Sequence, residues 1–394
     1  MTRQTRLLIS LLALGFARAH SLAAQAPSPS VTAGFGVDTT VSDVGKIFSL
    51  VRAYLSQPDS VRSRGLWSTA TEFDRTIGDI TALIPVNPGV PATVIGIIPA
   101  APGDSLYTLR ILYATADSAG RVSPLGLQRL YAVREPGARY GFRLSSAFPR
   151  MRRDWEQRSR GPLTFWYYPG QRPNQSRIDA TARFVDSAAA LLTVPVPRHL
   201  DVIVGKSYEE VLRAIGVDFY PVASSPMPPS AGLSIGSIIL SGNPAIGEAY
   251  FHELVHSILG PAIHPGNRLL SEGIATWLGG SRGRTPRELY ALLRDYQRAD
   301  STLSLSSLIR SGFEDKDVDR GANLLYGSAA LIADSIYRRG GIAPLLTAYR
   351  LKNEPDTLVR GISVALGLSP TDTRSLDAWW RAESARAARN AQSR

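Results

Sequence analysis

The stretch Ile246-Gly-Glu-Ala-Tyr-Phe-His-Glu-Leu-Val-His-Ser-Ile-Leu-Gly260 decides how the rest of the chain is read. Its apolar residues recur with a helical period and Gly260-Pro261 is a helix stop, so the spacing predicts a helix over this run. Inside it, His252-Glu253-Leu254-Val255-His256 sets two imidazoles four residues apart. Residues at i and i+4 stand one turn above another on the same helix face, so both rings can reach one metal ion. Glu253 is rotated from His252 by about 100°, at 3.6 residues per turn, which places its carboxylate beside the open position of such an ion rather than on the ion. A base for a bound water belongs there.

A zinc site built for catalysis takes three protein ligands and keeps one position for water, and two His with one Glu is a known set. Glu272, in Leu269-Leu-Ser-Glu272-Gly-Ile-Ala-Thr-Trp277, opens a second predicted helix one loop further on and is the expected third ligand of a single Zn2+. His264, between Ile263 and Pro265 in that loop, is the alternative. A third His at the spacing of the other large zincin class would fall at position 262, with Gly at 259; the chain has Ala262 and Leu259, which excludes that class.

Composition leaves few other groups to carry chemistry. The 394 residues include five His and no Cys. Without a thiol there is no disulfide, no Cys nucleophile, no iron–sulfur cluster and no thiolate zinc finger. With 44% apolar and 20% charged residues the chain is globular and long enough for two or three domains. His199, just ahead of the strand predicted over 200–204, reads as a surface residue.

Residues 1–26 read as a secretory signal peptide. Arg3 and Arg6 precede an apolar run at 7–16, too short to span a bilayer, and Ala24-Gln-Ala26 is a small-x-small cleavage site. The expectation is a periplasmic or secreted protein, cleaved near Ala26 and without stable membrane insertion. Loss of Arg3, Arg6 and Arg18 takes the formal charge from +11 to +8. The one dense basic run, 150–160, has five Arg against two acids and reads as a solvated connector, not a nucleic-acid surface.

After a Pro/Ser-rich linker, 27–40, an N-terminal α+β domain is expected over 41–149. An amphipathic helix at 41–55 shows Val44, Ile47, Phe48, Val51 and Leu55 on one face, and strands at 92–98, 105–113, 127–133 and 140–144 make an antiparallel meander. A basic connector, 150–161, leads to a larger body, 162–390. There, strands at 163–168 and 200–204, helices at 176–192 and 208–215, and a β-rich run at 233–240 precede a mostly helical remainder. Strands first and helices after, with no repeat, give an α+β fold class rather than a doubly wound sheet.

HELVH, then LLSEGIATW, then Leu325-Tyr326-Gly-Ser-Ala-Ala-Leu-Ile-Ala-Asp-Ser-Ile-Tyr-Arg-Arg-Gly-Gly-Ile-Ala-Pro-Leu-Leu346 together resemble the gluzincin metallopeptidases. Among these the chain is most similar to peptidase MA-like domains, relatives of aminopeptidase N and thermolysin, over roughly residues 163–381, about 55% of its length. The resemblance implies a zincin-like domain with a mixed sheet and a mostly helical C-terminal part. It implies His252, His256 and Glu272 as zinc ligands, Glu253 as general base, and Tyr326, just before a helix, as the phenol that stabilises the oxyanion. The implied substrate is a peptide or unfolded protein.

Two departures shape that expectation. The interval from His256 to Glu272 is a few residues shorter than in thermolysin or aminopeptidase N, which makes the loop around His264 compact. The run 231–240 lies where aminopeptidase N-like enzymes carry a Gly-x-Met-Glu-Asn signature whose Glu binds a free amine, and this run holds no acid. An endopeptidase is therefore expected, with 232–240 as an edge strand on which an extended peptide lies. One alternative is an aminopeptidase using another acid, Asp218 or Glu248. The other is an inactive exported zinc module whose N-terminal domain binds a partner or cell-envelope polymer; Glu253 beside two His argues against it.

Overall fold

Two sheets and a helical layer organise the chain in a computed structural model that describes residues 30–56, 64–69, 90–100, 103, 105–220 and 232–392. The signal-peptide reading, residues 1–26, lies outside the described residues. Strand β1 (Val31–Ala33) and helix α1 (Ser42–Leu55) precede the meander β2 (Ala92–Pro99), β3 (Leu106–Ala116), β4 (Val122–Arg134) and β5 (Phe142–Ser145). β2 to β5 pair antiparallel in sequence order, and β1 adds to β2 in parallel. Side chains of a strand alternate between faces; in β3, Tyr107, Leu109, Ile111 and Tyr113 are buried on one of them. Helix α1 brings Ile47, Leu50 and Val51 to the same apolar cluster.

Helix α2 (Phe148–Met151) leads into β6 (Glu156–Arg160) and β7 (Leu163–Tyr167), so part of the basic stretch is itself an exposed edge strand paired with β7. Helix α3 (Gln175–Leu192), β8 (Leu200–Val204), α4 (Tyr208–Ala214), β9 (Val217–Phe219), β10 (Gly232–Ile235) and β11 (Ile238–Ser241) follow. The second sheet has the order β10-β11-β8-β7-β6, with β11, β8 and β7 parallel and both edges antiparallel, so it is mixed. All five residues of central β8 are buried, as strands covered on both faces require. The run 232–240, expected as one edge strand, is instead a hairpin that turns at Gly236-Ser237, and only β10 is at the edge.

Strand β9, which lies in sequence between β8 and β10 of the second sheet, belongs instead to the first and pairs with β4 at Leu127 and Gln128. One apolar cluster accordingly holds Leu109, Leu130 and Phe142 together with Ile203, Val211 and Leu240. The opposite face of the second sheet, through Phe165, Val202 and Ile239, packs under the helices.

Those helices are α5 (Phe251–Leu259), α6 (Arg268–Gly279), α7 (Pro286–Ala299), α8 (Leu305–Ser311), α9 (Val318–Gly340), α10 (Ile342–Tyr349), α11 (Pro355–Ala365) and α12 (Thr373–Gln392). The fold is thus α+β, a sheet-rich first half followed by a helical C-terminal part. Helix α5 begins at Phe251, not Ile246 as the periodicity suggests, because the backbone at Gly247 turns left-handed with φ 55°. Among the described residues no helix is long and apolar enough to cross a membrane.

Candidate metal centre

Helix α5 is fixed from beneath. Leu254, Val255 and Ile258 are buried in the helical core, and the Phe251 ring stacks on Phe184 of α3 with centroids 4.4 Å apart. The opposite side of the helix presents His252 and His256, whose rings are 5.0 Å apart between centroids.

The short loop 260–267 then returns the chain to this face. It is pinned at its end: the Gly266 N–H donates to the Tyr349 carbonyl at 2.9 Å. The Asn267 side chain accepts from the Leu270 N–H at 2.8 Å, capping α6, and donates to the carbonyls of Ala348 and Leu351, each at 3.0 Å. Helix α6 makes two approaches that leave no room for a Cβ. One placed on Gly279 would be 2.4 Å from the His252 backbone nitrogen, and one on Gly273 would be 2.5 Å from the Ala329 carbonyl oxygen of α9. These contacts carry Glu272 to the two histidines.

His252 Nε2 is 3.1 Å from Glu272 Oε2 and 3.3 Å from His256 Nε2, and His256 Nε2 is 3.7 Å from the same carboxylate oxygen. Zinc bonds of about 2.0–2.1 Å at tetrahedral angles set ligand atoms roughly 3.3 Å apart, so the three residues fit a zinc ion. Among the described residues they are the one cluster of His, Cys, Asp or Glu side chains that could hold a metal. His264, the alternative ligand, is exposed in the loop and stands outside it.

The surrounding contacts fix how the imidazoles point. His252 Nδ1 is 2.8 Å from the Gly280 carbonyl, which can only accept, so Nδ1 carries the proton and the Nε2 lone pair turns into the cluster. His256 Nδ1 faces the Ser271 hydroxyl at 3.4 Å. Three electron-rich atoms therefore converge, and the arrangement calls for a cation. Without a metal, a proton serves. Burial pulls the His252 pKa down, but the hydrogen bond to Glu272 and the charges of Glu253 and Glu272 outweigh it and raise it to about 9. Burial pushes the Glu272 carboxyl up, yet its hydrogen bond to His252 and the charges of His252 and His256 hold it well below the usual carboxylate range.

Glu253 is 9% exposed and makes no hydrogen bond to any described residue. Its charge is felt by His252, Tyr326, Tyr250 and Tyr208. Tyr326, expected just before a helix, lies inside α9, which starts at Val318 behind the N-cap Asp317. Its ring meets that of His252 edge-on, centroids 5.8 Å apart. The charge of Glu272, and then burial, raise its pKa above the ordinary phenol value, so it is a hydrogen-bond donor at neutral pH.

The two acids considered for amine binding are engaged elsewhere. Glu248 is buried and accepts from the Tyr167 hydroxyl at 2.9 Å and the Asn174 N–H at 2.7 Å. Asp218, on β9, pairs with Arg129 at 3.1 Å. His199, read as a plain surface residue, is half exposed but lies 3.0 Å from the buried Asp201 carboxylate. Sequence reasoning passed over Tyr250, which is buried and electrostatically coupled to Glu253 and Tyr326. Its position two residues before His252 was the available signal. It also passed over Ser271, adjacent to Glu272, and Gly280, for which the sequence offers no mark.

No family model matches this chain, and no curated protein matches it. Its structure is similar to that of a two-domain M1 zinc metallopeptidase variant bound to L-tryptophan, with 15% identity over 74% of this chain and 63% of that one and a TM-score of 0.34. A variant of the M1 zinc metallopeptidase from Deinococcus radiodurans shows 13% identity over 74% and 64%, with a TM-score of 0.32. The M1 zinc metallopeptidase from Deinococcus radiodurans itself shows 13% identity over 77% and 63%, with a TM-score of 0.29. The chain spans less than two thirds of the length of these solved chains.

Proposed function

We propose that this chain is an exported zinc metallopeptidase that cleaves peptide bonds within peptides or unfolded proteins. The observation that carries the reading is the convergence of His252, His256 and Glu272 beside the nearly buried carboxylate of Glu253, which has no partner among the described residues. A purely structural zinc site uses four protein ligands and has no use for an adjacent base. The leader-like residues 1–26 support export.

When bound by His252, His256 and Glu272, zinc supplies Lewis acidity and makes water acidic enough to ionise near neutral pH. The protein's own groups do the rest. Glu253 accepts the proton of the attacking water and returns it to the leaving amine. Tyr326 donates a hydrogen bond to the oxygen that gains charge as the carbonyl is attacked. The Gly280 carbonyl keeps His252 in the tautomer that presents Nε2. Strand β10, at the sheet edge and packed against α5, offers main-chain groups to an extended peptide. With Glu248 and Asp218 both engaged, internal cleavage is favoured over recognition of an N-terminus.

Purified protein should carry one zinc per chain, degrade a denatured protein and lose that turnover to a chelator. Glu253→Gln should keep the zinc and lose about 10³-fold or more in rate, whereas His256→Ala should lose both. A Glu253→Gln variant as fast as the parent would sink the mechanism.

A further inference from the structure

The loop that follows α6 carries an arginine with no assigned role. Arg282 sits in the turn closed by the Ser281–Arg284 bridge, with φ 57°, a left-handed backbone that is strained for a residue bearing a Cβ. Its side chain is only 10% exposed. One guanidinium nitrogen pairs with Asp319, in the first turn of α9, while its Nε is buried with no partner among the described residues. An unsatisfied buried donor is costly, and such a cost persists where another partner can complete the set.

Three relations place this guanidinium at the rim of the metal centre. Gly280, two residues earlier, is the residue whose carbonyl holds His252. Asp319 and Tyr326 are seven residues apart on α9, hence on one face and about 10 Å apart along the helix at 1.5 Å per residue. The charge of Arg282 reaches the Tyr326 phenol, as does that of Arg268. Its partner Asp319 is 71% exposed, so the existing ion pair is open to solvent on that side and exchangeable.

We infer that Arg282 is a specificity residue that binds a carboxylate of the substrate, so that the preferred peptides carry a negative charge close to the scissile bond. This rests on the metallopeptidase reading and adds the substrate class. A guanidinium fork matches a carboxylate in two parallel hydrogen bonds, which Arg282 offers once it exchanges the exposed Asp319 for the substrate and turns its solvent-shielded Nε outward. The carboxylate is either a free C-terminus or an Asp or Glu side chain, and the same chemistry serves both.

Binding to zinc-loaded Glu253→Gln, read by fluorescence anisotropy, separates the two sources without needing turnover. The probes are labelled short peptides in matched pairs: free acid against C-terminal amide, and internal Glu against Gln. One charged member should bind about tenfold more tightly than its neutral twin, Arg282→Gln should erase the difference, and Arg282→Lys should retain part of it and cover a Gln variant that fails to fold. Equal binding within both pairs, or a preference that survives Arg282→Gln, overturns the inference. If the parent also cleaves charged and neutral peptides alike, the peptidase reading stands while this inference falls; charge-selective binding with no cleavage by the parent gives the reverse.

Discussion

The two walls of the metal centre are built on different plans. On one, α5 supplies His252, Glu253 and His256 from a single stretch of nine residues. On the other, Glu272, Gly280 and Tyr326 arrive on α6, the turn after it and α9, and they meet because Asn267 is tied to the end of α10 and because Gly273 lets α6 lie against α9. The first wall is a property of helix geometry; the second is a property of packing. Substitutions on the first should strike chemistry and spare the fold, whereas on the second even residues that touch no substrate should change metal affinity.

Tyr326→Phe tests whether the packed wall contributes to catalysis at all. Loss of one oxyanion donor should lower kcat about 10²-fold with zinc content unchanged, and an unchanged kcat would restrict catalysis to the α5 wall. Asn267→Ala should cost about 2 kcal/mol in a denaturation titration, from a lost N-cap and lost buried hydrogen bonds, and should weaken zinc binding in parallel. Weakened folding with intact zinc affinity would break the proposed link between packing and metal.

The pH dependence of zinc binding probes the point where the walls meet. With the His252 pKa raised to about 9, a proton competes with the metal below that pH. Apparent zinc affinity should rise about tenfold per pH unit as pH climbs toward 9 and level off above it. The sign is opposite for the metal-free fold: the raised pKa contributes stability that is complete below the unfolded value of about 6.5 and is lost as pH rises through 9. Affinity that is flat between pH 7 and 9 would refute the protonated pair.

Glu383 serves as the contrast far from the chemistry. Its hydrogen bond with Arg386, and then that with Arg338, hold its pKa down to about 2 against burial, tying α9 to α12. Glu383→Gln should cost about 1 kcal/mol in thermal denaturation and leave turnover unaltered. The contribution of this carboxylate is present above its unfolded pKa of about 4.3 and fades as pH falls through 2.

What could be read from the sequence follows the same division. β3 announced itself because Tyr107, Leu109, Ile111 and Tyr113 alternate with less buried residues, and the α5 pair because i and i+4 suffice. Neighbours that meet only through tertiary contacts left fainter marks. The true start of α5 depended on the backbone sign at Gly247, and Tyr326 looked like a helix-start residue because the preceding Asp319, Arg320 and Asn323 obscure the apolar period of α9. β6, whose five residues are all exposed and all charged or polar, carried no alternation to betray a strand. Arg282 lies in a Gly-rich turn where nothing local distinguishes it from a solvated cation.

Strand β9 also constrains the order in which the chain can assemble. β5 covers only the Tyr131–Arg134 portion of the outer side of β4, and β9 covers Leu127 and Gln128, with Arg129 tied to Asp218 beside them. The N-terminal sheet therefore reaches its final edge only after some ninety further residues have emerged, a long closure that slows folding. Ending the chain near residue 150 would leave an open strand edge and strip Val211, Leu212 and Ile215 from the cluster beneath it, so such a fragment should self-associate rather than fold on its own.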